Sequence, residues 1–280
     1  MASAPRALLD RLGALVGFFF GSVLRVRRAH VEASMRAAGF PGASARDHAK
    51  AMYRALGVSA CEFLWLASNA RRTKEARPLD GIARIEPRSR VKLEDAMLGG
   101  RGIVLAASHT GNWDLAACAV AQAFPLLVIT KHLKMRRLDA FWQSTRAAYG
   151  VALGDAAGAV SRARSALARG GAVAMMIDQV PALRRHGVAV EFLGREAIVD
   201  RAPAALAALT GAPLVVAASH RAADGAQEME VLRVLTPPPR PGPAWIEEAT
   251  REATRALDAF VREHPSEWLW LHRRWRAPAL

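Results

Sequence analysis

A histidine and a carboxylate lie five positions apart in the segment Ser108-His109-Thr110-Gly111-Asn112-Trp113-Asp114. The apolar run 102–107 before it predicts a short buried strand, and residues 113–124 predict a helix. Because residues five apart on one continuous helix point in different directions, the intervening turn is what would let Asp114 fold back onto the imidazole. A carboxylate that fixes one ring nitrogen leaves the other free as a general base. The simpler interpretation is a turn histidine next to an aspartate that the helix dipole favours.

Strands that alternate with helices predict an α/β fold, with a mainly parallel twisted sheet and helices on both faces. Such sheets place their sites at the carboxyl ends of strands. His109, Lys131 and Asp178 all follow predicted strands. The strands are predicted at residues 82–85, 102–107, 126–131, 172–177, 188–192, 214–219 and 228–235, with 188–192 as an edge strand. The alternation of residues 268–272 indicates a last strand with an aromatic face.

The composition narrows the classes of partner. A chain of 280 residues with 52% hydrophobic content suits one large α/β domain, or such a domain with an added arm. The net charge of +14 indicates an anionic partner. The aromatic residues do not alternate with basic ones as in RNA-binding modules, and zinc-finger spacing is absent, so nucleic acid is not expected. Cys61 and Cys118 lie in apolar helical sequence, which predicts buried thiols and neither a disulfide nor a metal pair.

The N-terminal residues 1–28 are predicted to form a hydrophobic and basic membrane anchor, followed by the α/β domain at 29–280. The apolar run 12–24 is shorter than the roughly 20 residues that a bilayer span requires. Basic residues follow the run, which fits a signal peptide poorly. We expect the phenylalanines at 18–20 to enter the lipid while flanking arginines meet anionic headgroups. The alternative is an ordinary buried helix.

The block from His109 to Asp114 resembles the H-x4-D/E signature of the bacterial lipid A late acyltransferases. These lauroyl and myristoyl transferases are a branch of the lysophospholipid and glycerolipid acyltransferase superfamily. Further segments are similar to this family in the same order, so the resemblance covers nearly the whole chain. They are residues 27–31, 39–41, 174–179, which end in Asp178-Gln179, 190–195 and 264–275.

The resemblance implies transfer of a fatty acyl chain from an acyl carrier protein thioester to a hydroxyl of a lipid, most specifically a lipid A precursor. His109 would act as the general base, Asp114 would orient it, and Arg146 would stabilise the oxyanion or hold a phosphate. The alternative for Arg146 is a solvated helix residue. The reaction requires no cofactor, no metal and no covalent intermediate, in keeping with the absence of a Gly-x-Ser-x-Gly elbow and of zinc-ligand spacing. The expected setting is the cytoplasmic face of the inner membrane, where a monomer binds the anionic surface as a peripheral or monotopic protein.

Six further residues are predicted to contact substrate or to support the motif, namely Asn112, Lys131, Asp178, Gln179, Arg184 and Arg185. An aspartate at the end of an apolar strand needs a partner, because its unpaired burial is costly. We expect Asp178 to pair with Arg146, to contact the acceptor, or to cap the next turn. The three basic residues would contact lipid phosphates or the acidic carrier, unless they are ordinary solvated charges.

Three other functions remain open from the sequence. In the first, the acceptor is another glycolipid or an aminolipid. In the second, water takes the place of the acceptor and the protein is a thioester hydrolase. In a non-enzymatic alternative, the chain is a basic membrane-binding protein with a decayed site. The intact His109 and Asp114 count against the last alternative. Formation of free fatty acid alone, without labelled lipid, would distinguish hydrolysis from transfer.

Overall fold

A mainly parallel sheet lies at the centre of the computed structural model, which describes residues 6–72, 79, 81–130, 132–155, 158–276 and 278. The described strands are β1 (Ala83–Ile85), β2 (Ile103–Ala107), β3 (Leu126–Thr130), β4 (Val151–Asp155), β5 (Ala172–Met176), β6 (Gly187–Phe192), β7 (Arg195–Asp200), β8 (Leu214–Arg221) and β9 (Gln227–Leu235). The sheet has the order β1-β9-β8-β2-β5-β3-β4, and β8 with β9 is its antiparallel pair.

Helices cover both faces of this sheet, as the sequence predicts. They are α1 (Arg6–Phe18), a π-helical turn (Phe19–Val23), α2 (Arg28–Ala37), α3 (Gly42–Arg72), α4 (Pro87–Met97), α5 (Trp113–Ala123), α6 (Arg136–Ala148), α7 (Ala159–Ala168), α8 (Ala202–Thr210) and α9 (Pro243–Glu263). Along β2 the side chains alternate between two cores. Ile103 and Leu105 belong to the core that includes α4 and α5, whereas Val104 and Ala106 belong to the core that includes α8 and α9. The predicted fold class is therefore confirmed.

Two local predictions are wrong, and two strands, β4 and β7, were missed. The strand expected at 188–192 is not an edge of the main sheet, because β6 pairs with β7 in a separate antiparallel hairpin. The edges of the main sheet are β1 and the five-residue strand β4. Residues 268–272 are not a continuous strand: they turn, and only Trp268 forms an isolated bridge to Thr110. The turns bury the Trp268 and Trp270 indoles in one core, where both are 1% exposed.

The N-terminal helix α1 packs along α3 through glycines. A Cβ at Gly57 would lie 2.1 Å from the Gly13 carbonyl oxygen, and a Cβ at Gly17 would lie 2.3 Å from that of Tyr53. The two backbones therefore approach more closely than side chains would permit. Large apolar side chains on the other side of this arm stay exposed, among them Leu15 and the phenylalanines at 18–20.

Within the described residues, no single helix has both the length and the apolar character needed to cross a bilayer. The segments Ala7–Val23 and Arg28–Ala37 satisfy those criteria only as a pair, and the chain bends by 88° between them. The two cysteines are free thiols, with Cys118 buried and Cys61 half-buried.

Candidate active site

The turn between β2 and α5 presents His109 at the carboxyl end of the sheet. Asn112 caps the helix, because its side-chain oxygen accepts a hydrogen bond from Leu115 N–H at 3.2 Å. Gly111 has a φ of +55°, and a Cβ there would lie 2.0 Å from the Gln227 side-chain nitrogen. A left-handed conformation in so tight a space requires glycine.

The C-terminal segment and β8 hold this turn from two sides. Leu269 N–H donates to the His109 carbonyl oxygen at 3.0 Å, and Gly111 N–H donates to the Glu267 carbonyl oxygen at 2.8 Å. The Thr110 hydroxyl oxygen accepts a hydrogen bond from Ser219 N–H at 2.9 Å. These contacts fix the backbone that carries His109.

Asp178 is the carboxylate that holds the imidazole. Its Oδ1 lies 2.8 Å from His109 Nδ1, and its Oδ2 accepts hydrogen bonds from His109 N–H at 2.9 Å and from Trp268 Nε1–H at 3.0 Å. The side chain of Asp178 is 0% exposed and that of His109 is 14% exposed. With Nδ1 donating to the carboxylate, Nε2 keeps a lone pair, and the Gln179 amide donates toward it at 3.4 Å. The described geometry is that of a histidine prepared to accept a proton at Nε2.

The expected hydrogen bond between Asp114 and His109 is therefore a wrong prediction. Asp114 instead accepts hydrogen bonds from Arg146 Nε at 2.7 Å and from Trp142 Nε1 at 3.2 Å, and Arg146 NH2 lies 2.5 Å from the same oxygen. The pairing that the sequence analysis considered between Asp178 and Arg146 is wrong for the same reason. β2 and β5 are hydrogen-bonded neighbours, so their carboxyl ends bring His109 beside Asp178, whereas the first turn of α5 directs Asp114 toward α6.

The charges around the base favour its protonated form. Burial lowers the pKa of His109, but the charge and hydrogen bond of Asp178 more than offset this effect, so the pKa lies above its ordinary value. Burial alone would raise the pKa of Asp178; the His109 charge and hydrogen bonds outweigh it and hold the pKa well below its usual range. The His272 ring centroid is 4.9 Å from that of His109. Burial and the neighbouring His109 lower the pKa of His272 to about 4, so His272 is neutral at neutral pH.

An apolar cavity opens beside the histidine turn. It encloses about 620 Å³, including the part open to solvent, between α5 and the sheet. Trp113, Ala116 and Val120 line it from α5, following a helical stripe, and Asp114 with Arg146 forms its polar edge. A paired carboxylate and guanidinium carry little net charge, so they are compatible with an apolar ligand in the same cavity.

The remaining predicted residues are distributed unevenly. Asn112 supports the motif: besides capping α5, its side-chain N–H donates to the buried Glu62 carboxylate at 2.9 Å. Arg184 and Arg185 lie exposed on a 3-10 turn in the loop that follows Asp178. Lys131 lies outside the described residues. Whether any of these residues touches substrate stays a prediction.

Sequence reasoning missed the long-range partners of the site. Trp268 donates to Asp178, and Glu62 binds both Asn112 and Arg221, the latter at 2.7 Å. The His272 ring packs against the His109 ring, and the described residues show no hydrogen bond between the two rings. The cluster of tryptophan and histidine residues at 268–275 was the sequence feature that could have indicated these contacts. Its spacing suggested a strand, not a turn that packs on the His109 segment.

Comparison with known proteins identifies the family. The model of the family described as bacterial lipid A biosynthesis acyltransferase matches residues 1–277, so the chain belongs to this family and the predicted resemblance is confirmed. The chain is 27% identical over 190 residues to phosphatidylinositol mannoside acyltransferase from Mycolicibacterium smegmatis, an alignment that spans 66% of this chain and 60% of that relative's length. A structural match is the 1-acyl-sn-glycerophosphate (LPA) acyltransferase PlsC from Thermotoga maritima, with a TM-score of 0.38, 11% identity, and coverage of 92% of this chain and 99% of that one.

Proposed function

We propose that this member of the lipid A biosynthesis acyltransferase family transfers a fatty acyl group from a thioester to a hydroxyl of a lipid. The observation that carries the proposal is His109, held through Nδ1 by the buried Asp178 and placed beside an apolar cavity. The cavity suits an acyl chain because burial of each methylene contributes about 0.8 kcal/mol. The histidine suits activation of a hydroxyl because Nε2 is available as a base.

In the proposed reaction, Nε2 of His109 accepts the proton of the acceptor hydroxyl as its oxygen attacks the thioester carbonyl carbon. The negative charge that develops on the carbonyl oxygen needs positive partners. Among the described residues that line the cavity, Arg146 supplies the guanidinium. When the carbon–sulfur bond breaks, the imidazolium returns the proton to the departing thiolate. An ester and a free thiol are formed, and the enzyme ends in its starting state.

Asp178 takes the positioning role that the sequence analysis gave to Asp114. It holds the Nδ1 proton and stabilises the imidazolium that forms during attack. Asp114 then serves to orient Arg146, which it binds through both Nε and NH2. This division gives each of these two buried aspartates one charged partner.

The donor and acceptor follow from family membership and charge. We propose an acyl carrier protein thioester as the donor, because carrier proteins are acidic and Arg184 and Arg185 form an exposed basic pair on the loop after Asp178. We propose a lipid A precursor as the acceptor, with a mannosylated phosphatidylinositol as the first alternative because the relative's name specifies it.

Exposed apolar residues support a site at the membrane surface. Leu15 is 65% exposed and Phe18 61% exposed, and arginines at 25, 27 and 28 follow them. An apolar ridge with adjacent cations binds anionic interfaces. We propose that the 1–28 arm docks the protein on the cytoplasmic face of the inner membrane without spanning it.

The test is product analysis with the full-length purified chain. Radiolabelled acyl carrier protein thioesters of several chain lengths are incubated with a lipid A precursor or with a mannosylated phosphatidylinositol in mixed micelles. The expected result is labelled lipid from the unaltered protein and none from His109→Ala. His132→Ala is the matched control, since it removes an exposed histidine that binds Asp139 at 2.6 Å and lies outside the site. If free fatty acid is the only labelled product, the protein is a hydrolase and not a transferase. Full activity of His109→Ala would refute the mechanism.

A further inference from the structure

A second cavity, of about 930 Å³ including the part open to solvent, lies among α2, β7 and the C-terminal segment. The polar side chains that line it are His30, Ser34, Arg195, Arg273, Arg274 and Arg276, and small residues of α2 leave the space open. None of the described residues that line it is acidic. Four guanidiniums and an imidazole therefore surround one space with no carboxylate among the lining residues to balance them.

The carboxylate of α2 and the buried Asp178 bind other groups. Glu32 of α2 binds Arg28 at 2.6 Å and Arg36 at 3.7 Å, and Asp178 binds His109. Within the described residues, the side chains of Arg273, Arg276 and Arg195 form no ion pair. Like charges that converge without a counter-charge raise the local potential and attract anions.

Arg274 is the clearest sign that this is a built site. The residue is 1% exposed, yet it donates to a backbone oxygen, that of Ile198 at 2.8 Å, and its buried Nε has no hydrogen-bond partner. The charge of Asp178 acts on Arg274, but burial outweighs it and lowers the pKa of Arg274 to about 10. A buried N–H without an acceptor on a cation is costly, and a bound anion would supply that acceptor. Arg195 is also pre-positioned, with its guanidinium 4.5 Å from the centroid of the Trp275 ring.

Two residues, His30 and His272, lie between this cavity and the catalytic base. The His30 ring nitrogen Nε2, which lines the cavity, lies 3.1 Å from the His272 carbonyl oxygen, and the His272 ring packs on that of His109. The apolar cavity is instead lined by α5 and the strands it covers. A lipid whose hydroxyl reaches His109 would thus place the neighbouring part of its headgroup at the basic cavity.

We propose that this cavity binds a phosphate ester carried by the headgroup of the acceptor lipid, and so selects phosphorylated acceptors. The inference rests on the proposed acyl transfer. Guanidinium groups present paired N–H donors that match phosphate oxygens, and several of them around one space suit a dianion better than a single carboxylate. Free phosphate shares this chemistry, so the lipid and the free anion must be separated by experiment.

The test uses the double variant Arg273→Gln/Arg276→Gln, which changes two exposed residues and leaves the buried Arg274 in place. The charge-matched control is Arg90→Gln/Arg240→Gln, in exposed residues of α4 and of the loop after β9. Equilibrium binding is measured for a monophosphorylated glycolipid in detergent micelles, for the same lipid without phosphate, and for inorganic phosphate. Because binding does not require turnover, this arm still decides on the cavity if acyl transfer itself is not observed.

We expect the unaltered protein and the control to bind the phosphorylated lipid at least tenfold more tightly than the dephosphorylated one. The double variant should lose roughly 10- to 100-fold in affinity for the phosphorylated lipid only, since each charge-assisted hydrogen bond contributes about tenfold. Where transfer is measured, KM for the phosphorylated acceptor should rise with little change in kcat. Equal affinity for both lipids, or binding of inorganic phosphate without a preference for the phosphorylated lipid, would overturn the proposal.

Discussion

Replacement of Asp178 by asparagine tests which carboxylate serves the histidine. In the unaltered protein, Oδ2 accepts two N–H hydrogen bonds, from His109 and Trp268, and Oδ1 accepts that of the imidazole. In Asp178→Asn the amide oxygen must face the two N–H groups, so the amide nitrogen faces the imidazole and donates to Nδ1. The proton of the neutral imidazole then moves to Nε2, the atom that must act as the base.

The expected loss is large because this is a change of tautomer. A wrong tautomer in an equivalent histidine–aspartate pair lowers kcat about 10⁴-fold, and we expect roughly 10³- to 10⁴-fold here, or about 4 to 5.5 kcal/mol of transition-state stabilisation. The pKa of His109 should also fall, because Asp178 is the group that raises it. The acid limb of residual kcat/KM should therefore move to lower pH.

Asp114→Asn is the matched control, since it also removes a buried carboxylate charge. It leaves the His109 tautomer in place and weakens the pair with Arg146, so it should cost stability, by about 3 kcal/mol, and lower kcat less than Asp178→Asn does. Product formation from a radiolabelled thioester, thermal unfolding and a pH–rate profile measure the three effects. A loss of less than tenfold in Asp178→Asn, with a loss above 10³-fold in Asp114→Asn, would show that Asp114 is the functional partner after all.

Three further substitutions test the turn, the apolar cavity and the arm. Gly111→Ala should lower the free energy of unfolding by more than about 2 kcal/mol in a denaturation experiment, because a positive φ alone costs about 1 kcal/mol and the new Cβ also meets Gln227. Gly100→Ala has open space around its Cβ, so it should show only the cost of the positive φ. Val120→Phe places a larger side chain in the cavity, about 10 Å along α5 from Trp113. It should lower kcat/KM for long acyl chains about fourfold for each methylene that it displaces. If the dependence of kcat/KM on chain length is unchanged, the acyl chain binds elsewhere. Replacement of the phenylalanines at 18–20 by serine should lower the fraction of protein that co-sediments with anionic vesicles but leave folding intact. An unchanged bound fraction would contradict the proposed membrane anchor.

Local patterns were sufficient to predict the strand, turn and helix that carry His109. The apolar run before the turn, the capping Asn112 and the helical stripe after it all lie within about 20 residues, so adjacent sequence determines them. The partner of His109 is 69 positions away. Its identity depends on β2 and β5 being neighbours in the sheet, and strand order is not encoded in the pattern of either strand alone. The sequence analysis therefore placed Asp178 correctly at the carboxyl end of the sheet but did not identify its partner.

The missed elements have a similar physical origin. The strand β4 has the sequence Val151-Ala-Leu-Gly-Asp, in which two small residues interrupt the apolar pattern. It forms at the edge of the sheet because its backbone pairs with that of β3. The segment 268–272 does alternate, but burial of its indoles in one core is worth more than a second strand partner would be. In both places tertiary contacts decide between conformations that the local sequence permits.

The buried aspartates Asp114 and Asp178 explain how one site handles both charge and an apolar chain. Asp114 with Arg146 is neutral as a pair, so it can border the apolar cavity without an uncompensated charge. When His109 is in its neutral form, the form that acts as a base, its pair with Asp178 instead carries a net negative charge in a buried position. Uptake of the acceptor proton at Nε2 neutralises that pair, and the electrostatic gain is larger at low dielectric constant than it would be in water. Burial of Asp178 therefore makes His109 a stronger base, which is the reason to expect catalysis to depend on Asp178 more strongly than on Asp114.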